Sequence, residues 1–248
     1  MFDIFINIFR TVLYQPLFNF LILLYNYLPG GDLGLAIISL TLIIFLILSP
    51  ISIKAVKSQK ALSELQPKIQ EIQKKYKDDK EKQAKATMEL YQKAEINPFK
   101  GCLPLLLQMP VLITLFLLFK NLSQTIKEGG GQALFELLYP FVSAPSVINT
   151  KFLGLIELTE PSMVLALFAG AAQFFQTKML SPKYKKSNSQ NPDFSHLLQK
   201  QMIYFFPFLT VVILWKLSSA IALYWITTSL LSISQQYLLL RKQHAANN

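Results

Sequence analysis

The chain is 248 residues long, 52% hydrophobic and only 15% charged, with 19 Phe and 9 Gly and a mean hydropathy of +0.37. A soluble domain carries about 25% charge, so this balance excludes an ordinary soluble enzyme, a disordered chain and a collagen-like chain and marks an integral membrane protein. The net charge of +10 asks for acidic partners such as anionic phospholipids, ribosomal RNA or acidic peptides, and a lone cysteine, Cys102, excludes an intrachain disulfide and a cysteine-based metal cluster.

The N-terminal stretch 2–28 comes first. Asp3, Asn7, Arg10 and Tyr14 recur at steps of four, three and four, and beyond them Gln15, Asn19 and Asn26 share a face. That pattern predicts an amphipathic helix lying in the membrane interface, in preference to a sixth span. A secretory signal peptide would instead open on a basic region and close on small residues. Crossing a hydrocarbon core of roughly 30 Å takes about 20 mostly apolar residues. The run 33–53 meets this without a single charge, and 101–119, 162–177, 202–215 and 217–240 follow. The chain thus reads as an all-α membrane protein with five transmembrane helices. The fourth run reaches only about 21 Å at 1.5 Å per residue and needs tilted neighbours or a thinned bilayer.

Between the first two spans Leu62, Leu65, Ile69, Ile72 and Tyr76 fall at steps of three, four, three and four, a heptad seam. Lys77-Asp78-Asp79-Lys80 then reads as a turn, and Ala84, Met88, Tyr91 and Glu95 follow at helical spacing. Two such helices predict an antiparallel hairpin, with Pro67 breaking or opening its first arm. It is either a solvated linker or a docking arm whose outer face carries lysine throughout. With 33–53 running inward, the inward segments 54–100, 178–200 and 241–248 carry 19 of the 24 Lys and Arg. The positive-inside rule then puts the N-terminus outside and the C-terminus in the cytoplasm of a cell-membrane protein. The expected divisions are 1–30 interfacial helix, 31–57 first span, 58–98 cytoplasmic hairpin, 99–121 second span, 122–160 outer loop and 161–248 last three spans with the tail.

Leu65-Gln66-Pro67-Lys68-Ile69-Gln70, Asn97-Pro98, Gly101-Cys102-Leu103-Pro104 and Leu107-Gln108-Met109-Pro110 resemble the YidC membrane insertases. Gln15-Pro16-Leu17-Phe18, Gly34-Leu35-Ala36-Ile37-Ile38 and the stretch from Phe206-Pro207 through Leu223-Tyr224-Trp225 to Gln235-Gln236 match as well. The resemblance is weakest over 121–160, and neither a large extracytoplasmic domain nor a lipoprotein signal accompanies it. It implies a five-helix core with a lipid-facing groove open to the cytoplasm. It further implies nascent membrane proteins as substrates, ribosomes as partners, and action alone or beside the Sec translocon. Family members carry an arginine five residues before the proline ending the first span; here that proline is Pro50 and the position is Phe45.

Thr41, Phe45, Ser49 and Ser52 lie at steps of four, four and three, so three hydroxyls flank the phenylalanine on one helix face. Each hydroxyl could simply bond back to its own helix. From other spans Gln108, Thr114, Gln173, Gln176, Thr228, Ser232 and Gln235 could line a wet cavity, since an unpaired amide is costly in hydrocarbon. Tyr224 and Trp225 either touch a passing substrate or, with Trp215, anchor helix ends as an aromatic belt. No span holds Asp or Glu, His196 and His244 lie outside the spans, and neither His-Glu-x-x-His nor a phosphate-binding glycine loop occurs; Gly129–Gly131 reads as a flexible outer turn. No catalytic residue, cofactor, metal or small-molecule substrate is therefore expected. A small channel or transporter is the alternative, but it would show internal repeats or charged, broken helices at mid-membrane.

Overall fold

A computed structural model describes residues 7–77, 79–97, 103–127, 135–180 and 194–246. Asp3, Asp78, Pro98, Gly101, Cys102 and the glycine run 129–131 lie outside the described residues, as do the side chains of His196 and His244. A π-helical turn, Arg10–Tyr14, leads into α1 (Gln15–Tyr27). Gly30 and Gly31, both at positive φ, turn the chain to Asp32. The Asp32 Oδ1 accepts from the Gly34 and Leu35 N–H groups at 2.7 and 3.1 Å, satisfying two of the donors that a helix start leaves open.

The helix so capped, α2 (Leu33–Lys75), runs unbroken for 43 residues, about 65 Å at 1.5 Å each. The expected first span and first hairpin arm are therefore one helix, and the break expected at Pro67 is absent. Pro50 and Pro67 both lie inside it at exposed positions, where bending away from the packed side relieves the ring's clash with the preceding turn. After a turn comes α3 (Lys80–Lys93), capped by Asp79, which accepts from Lys82 N at 3.0 Å and pairs with its ammonium at 2.9 Å. The backbone bond and the Lys82 side chain hold the Asp79 carboxyl below its usual range. No residue of α3 is buried.

Four helices follow: α4 (Leu103–Lys127), α5 (Met163–Leu180), α6 (Phe194–Leu214) and α7 (Ser219–Ala246). Among the described residues Asn7–Tyr27, Leu33–Lys75 and Gln108–Ile126 are long and apolar enough to cross a membrane, and Ile203–Leu214 is a shorter apolar helix. α5 packs on α6 and α7, and α2 on α7 and α1. A Cβ on Gly170 of α5 would lie 2.3 Å from Val211 Cγ2. In lipid, where no hydrophobic drive separates helix from solvent, such small residues let backbones close up. Buried positions in α2 stop at Thr41 apart from Ala55 and Ile69. The bundle is tight at the end bearing segment 135–160 and loosens towards α3.

Segment 135–160 has one small sheet, β1 (Lys151–Phe152) antiparallel to β2 (Ile156–Glu157). Its other backbone groups need partners, and helices supply them. Asn19 Nδ2 donates to Leu137 O at 2.9 Å while its Oδ1 accepts from Tyr139 N at 2.6 Å. Gln15 Nε2 donates to Leu137 O, Asn26 Nδ2 to Ser143 O, and Tyr25 Oη accepts from Asn149 N. The polar face of α1, expected to lie against the interface, is thus turned onto the protein itself, with Asn19 only 3% exposed. Asp32 Oδ2 accepts from Leu153 N at 2.6 Å, and Phe152 lies so close over Gly34 that a Cβ there would meet its ring at 2.2 Å. At the start of α7, Ser219 N donates to Glu160 O and Ala220 N to Leu158 O, while Ser123 of α4 donates to Thr159 O.

Replacing Asn19 by Leu orphans the Tyr139 N–H and removes one donor from the Leu137 carbonyl. A buried unpaired polar group costs about 1–3 kcal/mol, so Asn19→Leu lowers the unfolding temperature in detergent by several degrees. Asn26→Ala, at an exposed bond, shifts it far less. Equal shifts in thermal melts would show that α1 does not hold the segment.

Candidate functional site

A cavity of about 280 Å³ opens between α2 and α7, with single contributions from α4 and α5. Thr41, Phe45 and Ser52 come from α2, Gln108 from α4, Gln176 from α5, and Tyr224, Thr228 and Ser232 from α7. Gln59, Gln235 and Gln236 complete the polar lining, and among the described residues none that lines it carries a charge. Helical periodicity explains the assembly: in α2 the lining positions 41, 45, 48, 52, 55 and 59 follow one face, as do 224, 228, 232, 235 and 236 in α7.

The hydroxyls and the amides behave differently. Thr41 Oγ1 donates to Ile37 O at 2.6 Å and Thr228 Oγ1 to Tyr224 O at 2.9 Å, so both are satisfied within their own helices. Two of the amides instead reach across the cavity. Gln108 Nε2 donates to Tyr224 Oη, joining α4 to α7, and Gln235 Nε2 donates to Ser49 Oγ at 2.9 Å, joining α7 to α2. Gln236 Oε1 is buried without a partner among the described residues, an acceptor facing polar, roomy space of the kind that holds water.

Seven residues expected at a groove therefore line one cavity: Thr41, Phe45, Ser52, Gln108, Tyr224, Thr228 and Ser232. Ser49 stands behind it, as the partner of Gln235. Thr114 is fully buried and donates to Pro110 O at 2.8 Å, which fills the carbonyl's need rather than the cavity's. Trp225 lies elsewhere too: its Nε1 donates to Gln173 Oε1 at 3.1 Å, and its ring borders a separate apolar pocket with Leu112, Phe116 and Ile213. Sequence reasoning missed Gln59 and Gln236. Gln59 continues the Thr41–Phe45–Ser52 face by seven residues, a signal hidden by ending the first span at 57. Gln236 lies four residues beyond Ser232.

The seam expected beyond the cavity is only partly a seam. Ile69 is buried and, with Met88 and Tyr91, borders a cleft between α2 and α3. Leu62, Leu65, Ile72 and Tyr76 are half-buried, and Met88 is 49% exposed. Burial pushes the Tyr91 hydroxyl's pKa up. Gln66, Gln73 and Gln83 share the cleft, so amides alternate with apolar groups there.

The family model described as 60Kd inner membrane protein matches residues 23–246. The membrane protein insertase YidC of Clostridium tetani is 35% identical over 221 residues, covering 88% of this chain and 87% of that protein. That of Fusobacterium nucleatum is 33% identical over 234 residues, covering 94% and 98%. A crystal structure of an active YidC insertase with its first transmembrane domain resolved superposes with a TM-score of 0.60 at 27% identity. That likeness covers 92% of this chain and 46% of the other, so this chain spans about half the length of that protein. A likeness that runs from α1 to the end of α7, shared with relatives of nearly the same length, places the chain in the 60Kd inner membrane protein family, that of the YidC membrane protein insertases.

Proposed function

We propose that this protein moves the hydrophilic end of a nascent membrane protein into the bilayer through the cavity between α2 and α7. The observation carrying this reading is a cavity between α2 and α7 whose lining, among the described residues, is hydrogen-bonding and uncharged. A charge at the bilayer centre costs about 2.5–3.5 kcal/mol on insertion scales. Amide and hydroxyl groups that keep water in part of the path shorten the apolar distance and lower that cost. The substrate's apolar segment then leaves sideways into lipid. No energy-supplying site is required, because burial of the apolar segment drives the step.

On this reading five spans cross the membrane, in α2, α4, α5, α6 and α7, while α1 stays at the outer interface and 58–98 forms a cytoplasmic hairpin. Its lysines suit ribosomal RNA, anionic phospholipids and acidic segments of the substrate; the Sec translocon is a further partner for larger substrates. Photo-crosslinkers at Phe45 and Gln108 are expected to capture a nascent membrane protein, and one at Leu230, exposed on α7 outside the cavity lining, is not. Capture from Leu230 alone would place the path elsewhere.

Orientation has its own test. In a Cys102→Ser background, Lys80→Cys is expected to react with a membrane-impermeant thiol reagent only from the cytoplasmic side. Leu155→Cys, on an 85% exposed residue, reacts only from outside. The opposite pattern overturns the topology.

The lining makes a third prediction. Gln108→Leu removes the bond to Tyr224 and dries the cavity, slowing reconstituted insertion about ten-fold, the equivalent of one lost polar interaction of roughly 1.4 kcal/mol. Phe45→Arg places a guanidinium beside Gln108 and Gln235 and is tolerated. It speeds insertion of a substrate carrying two Asp in its translocated tail over the same substrate with two Asn, by about five-fold and more at low salt than high. Failure of Phe45→Arg to integrate would mean that this face is packed dry.

A further inference from the structure

The chain after α3 ends in a strained turn. Glu95 N donates to Gln92 O and Ile96 N to Tyr91 O, both at 3.0 Å, the paired bonds of a Schellman cap. The residue in the left-handed position of that cap is Glu95, at φ +55. Glycine is favoured there because any Cβ crowds the backbone. The turn brings Ile96 and Asn97 back against α2, where Ser58 Oγ donates to Asn97 O at 3.3 Å. Between them lies a cleft of about 620 Å³. Ile51, Ala55 and Ile96 give it apolar walls, and Lys54, Lys57 and Glu95 bring two positive charges and one negative. The ion pairs found among the described residues, Lys60 with Glu64 and Lys82 with Asp79, involve none of those three.

Lys54 is the first charge after the apolar run 33–53, so the cleft stands where hydrocarbon gives way to head groups. We propose that it binds a phospholipid whose head group carries both a phosphate and a primary amine, such as phosphatidylethanolamine. The phosphate meets Lys54 and Lys57, the amine donates to the Glu95 carboxylate, and an acyl chain lies along Ile51, Ala55 and Ile96. A head group with phosphate alone leaves the Glu95 carboxylate facing like charge. The strained glutamate, where glycine would make the better cap, then has a reason to be there. This site rests on α2 crossing the membrane, but its test does not read insertion activity.

The full chain is reconstituted in equimolar phosphatidylethanolamine and phosphatidylglycerol, extracted in mild detergent, and its retained lipid counted by native mass spectrometry. Wild type is expected to retain phosphatidylethanolamine about five-fold over phosphatidylglycerol, the discrimination one exposed charge pair supplies. Glu95→Gly relieves the strained cap, so it keeps or raises the melting temperature while bringing the ratio to about one. Lys54→Gln with Lys57→Gln loses most of both lipids. Soluble glycerophosphoethanolamine, which lacks acyl chains, leaves the retained lipid in place. Equal retention in wild type, a phosphatidylglycerol preference, a ratio unmoved by Glu95→Gly, or displacement by the soluble head group would each overturn the proposal. Normal lipid selection with failed insertion would sink only the reading of the cavity as a substrate path.

Discussion

The backbone of segment 137–160 has few ladder bonds of its own, and a backbone group left unpaired away from water costs as much as a lost hydrogen bond. Nearly every other feature of the bundle depends on how that need is met. The side chains of Asn19 and Tyr25 serve the first half of the segment, and Asp32 serves Leu153 while capping α2. The free N–H groups at the start of α7 turn to the Leu158 and Glu160 carbonyls. One irregular stretch thereby fixes the starts of α2 and α7 beside each other. Close packing enforces the same geometry, since Gly34 has no room for a side chain under Phe152. Beyond those ends the cavity opens between the two helices, bridged by the Gln235–Ser49 bond.

What fills the gap follows from a second constraint. A side-chain amide carries donors and acceptors at once, and in hydrocarbon each has to be paired. Gln108 finds Tyr224 and Gln235 finds Ser49, contacts that brace the cavity's walls across three helices. Among the described residues each of these amides has groups to spare beyond the bond it makes, and the Gln236 acceptor has no partner. Leftover capacity of this kind favours water over lipid. At about 30 Å³ per water, the cavity has room for several. Bracing and wetting thus come from the same residues: a leucine in place of Gln108 loosens the wall and dries it together.

The apolar runs were legible in the sequence because periodicity and charge-free length are backbone-scale signals. Among the described residues each of the five lies largely within one helix. The cavity was legible where it follows one helix face, which is why Thr41, Phe45 and Ser52 were found together; Thr228 and Ser232 stood out as polar groups in an apolar run. The losses have physical causes. Pro67 reads as a breaker because proline removes a hydrogen bond, yet it stands at an exposed position inside α2, and the helix continues through it. Ending the helix early concealed Gln59. The polar side of α1 reads as interfacial because an amphipathic pattern does not say whether its partner is water or protein; Asn19 and Gln15 face a segment more than a hundred residues away. Trp225 could not be placed from spacing, since one step along α7 moves a side chain by about 100° and carries it from the cavity to the apolar pocket beyond.

Phe45 gives the proposed path its particular character. A fixed guanidinium at that position would attract acidic tails over a distance set by salt and repel basic ones. An amide and hydroxyl lining does neither: it offers short-range hydrogen bonds to either sign of charge and to bare peptide groups. Selection by charge, where this protein exercises it, then falls to the lysines beyond the membrane. Twelve of the 24 basic residues lie in 54–100, ten of them along the end of α2 and on α3. On the proposed topology they act in water, where they would concentrate acidic segments before entry and lose that influence within about a Debye length. Attraction and passage are thereby separated in space. In the proposed division of labour the hairpin gathers by charge, and the cavity lowers the barrier for whatever has been gathered.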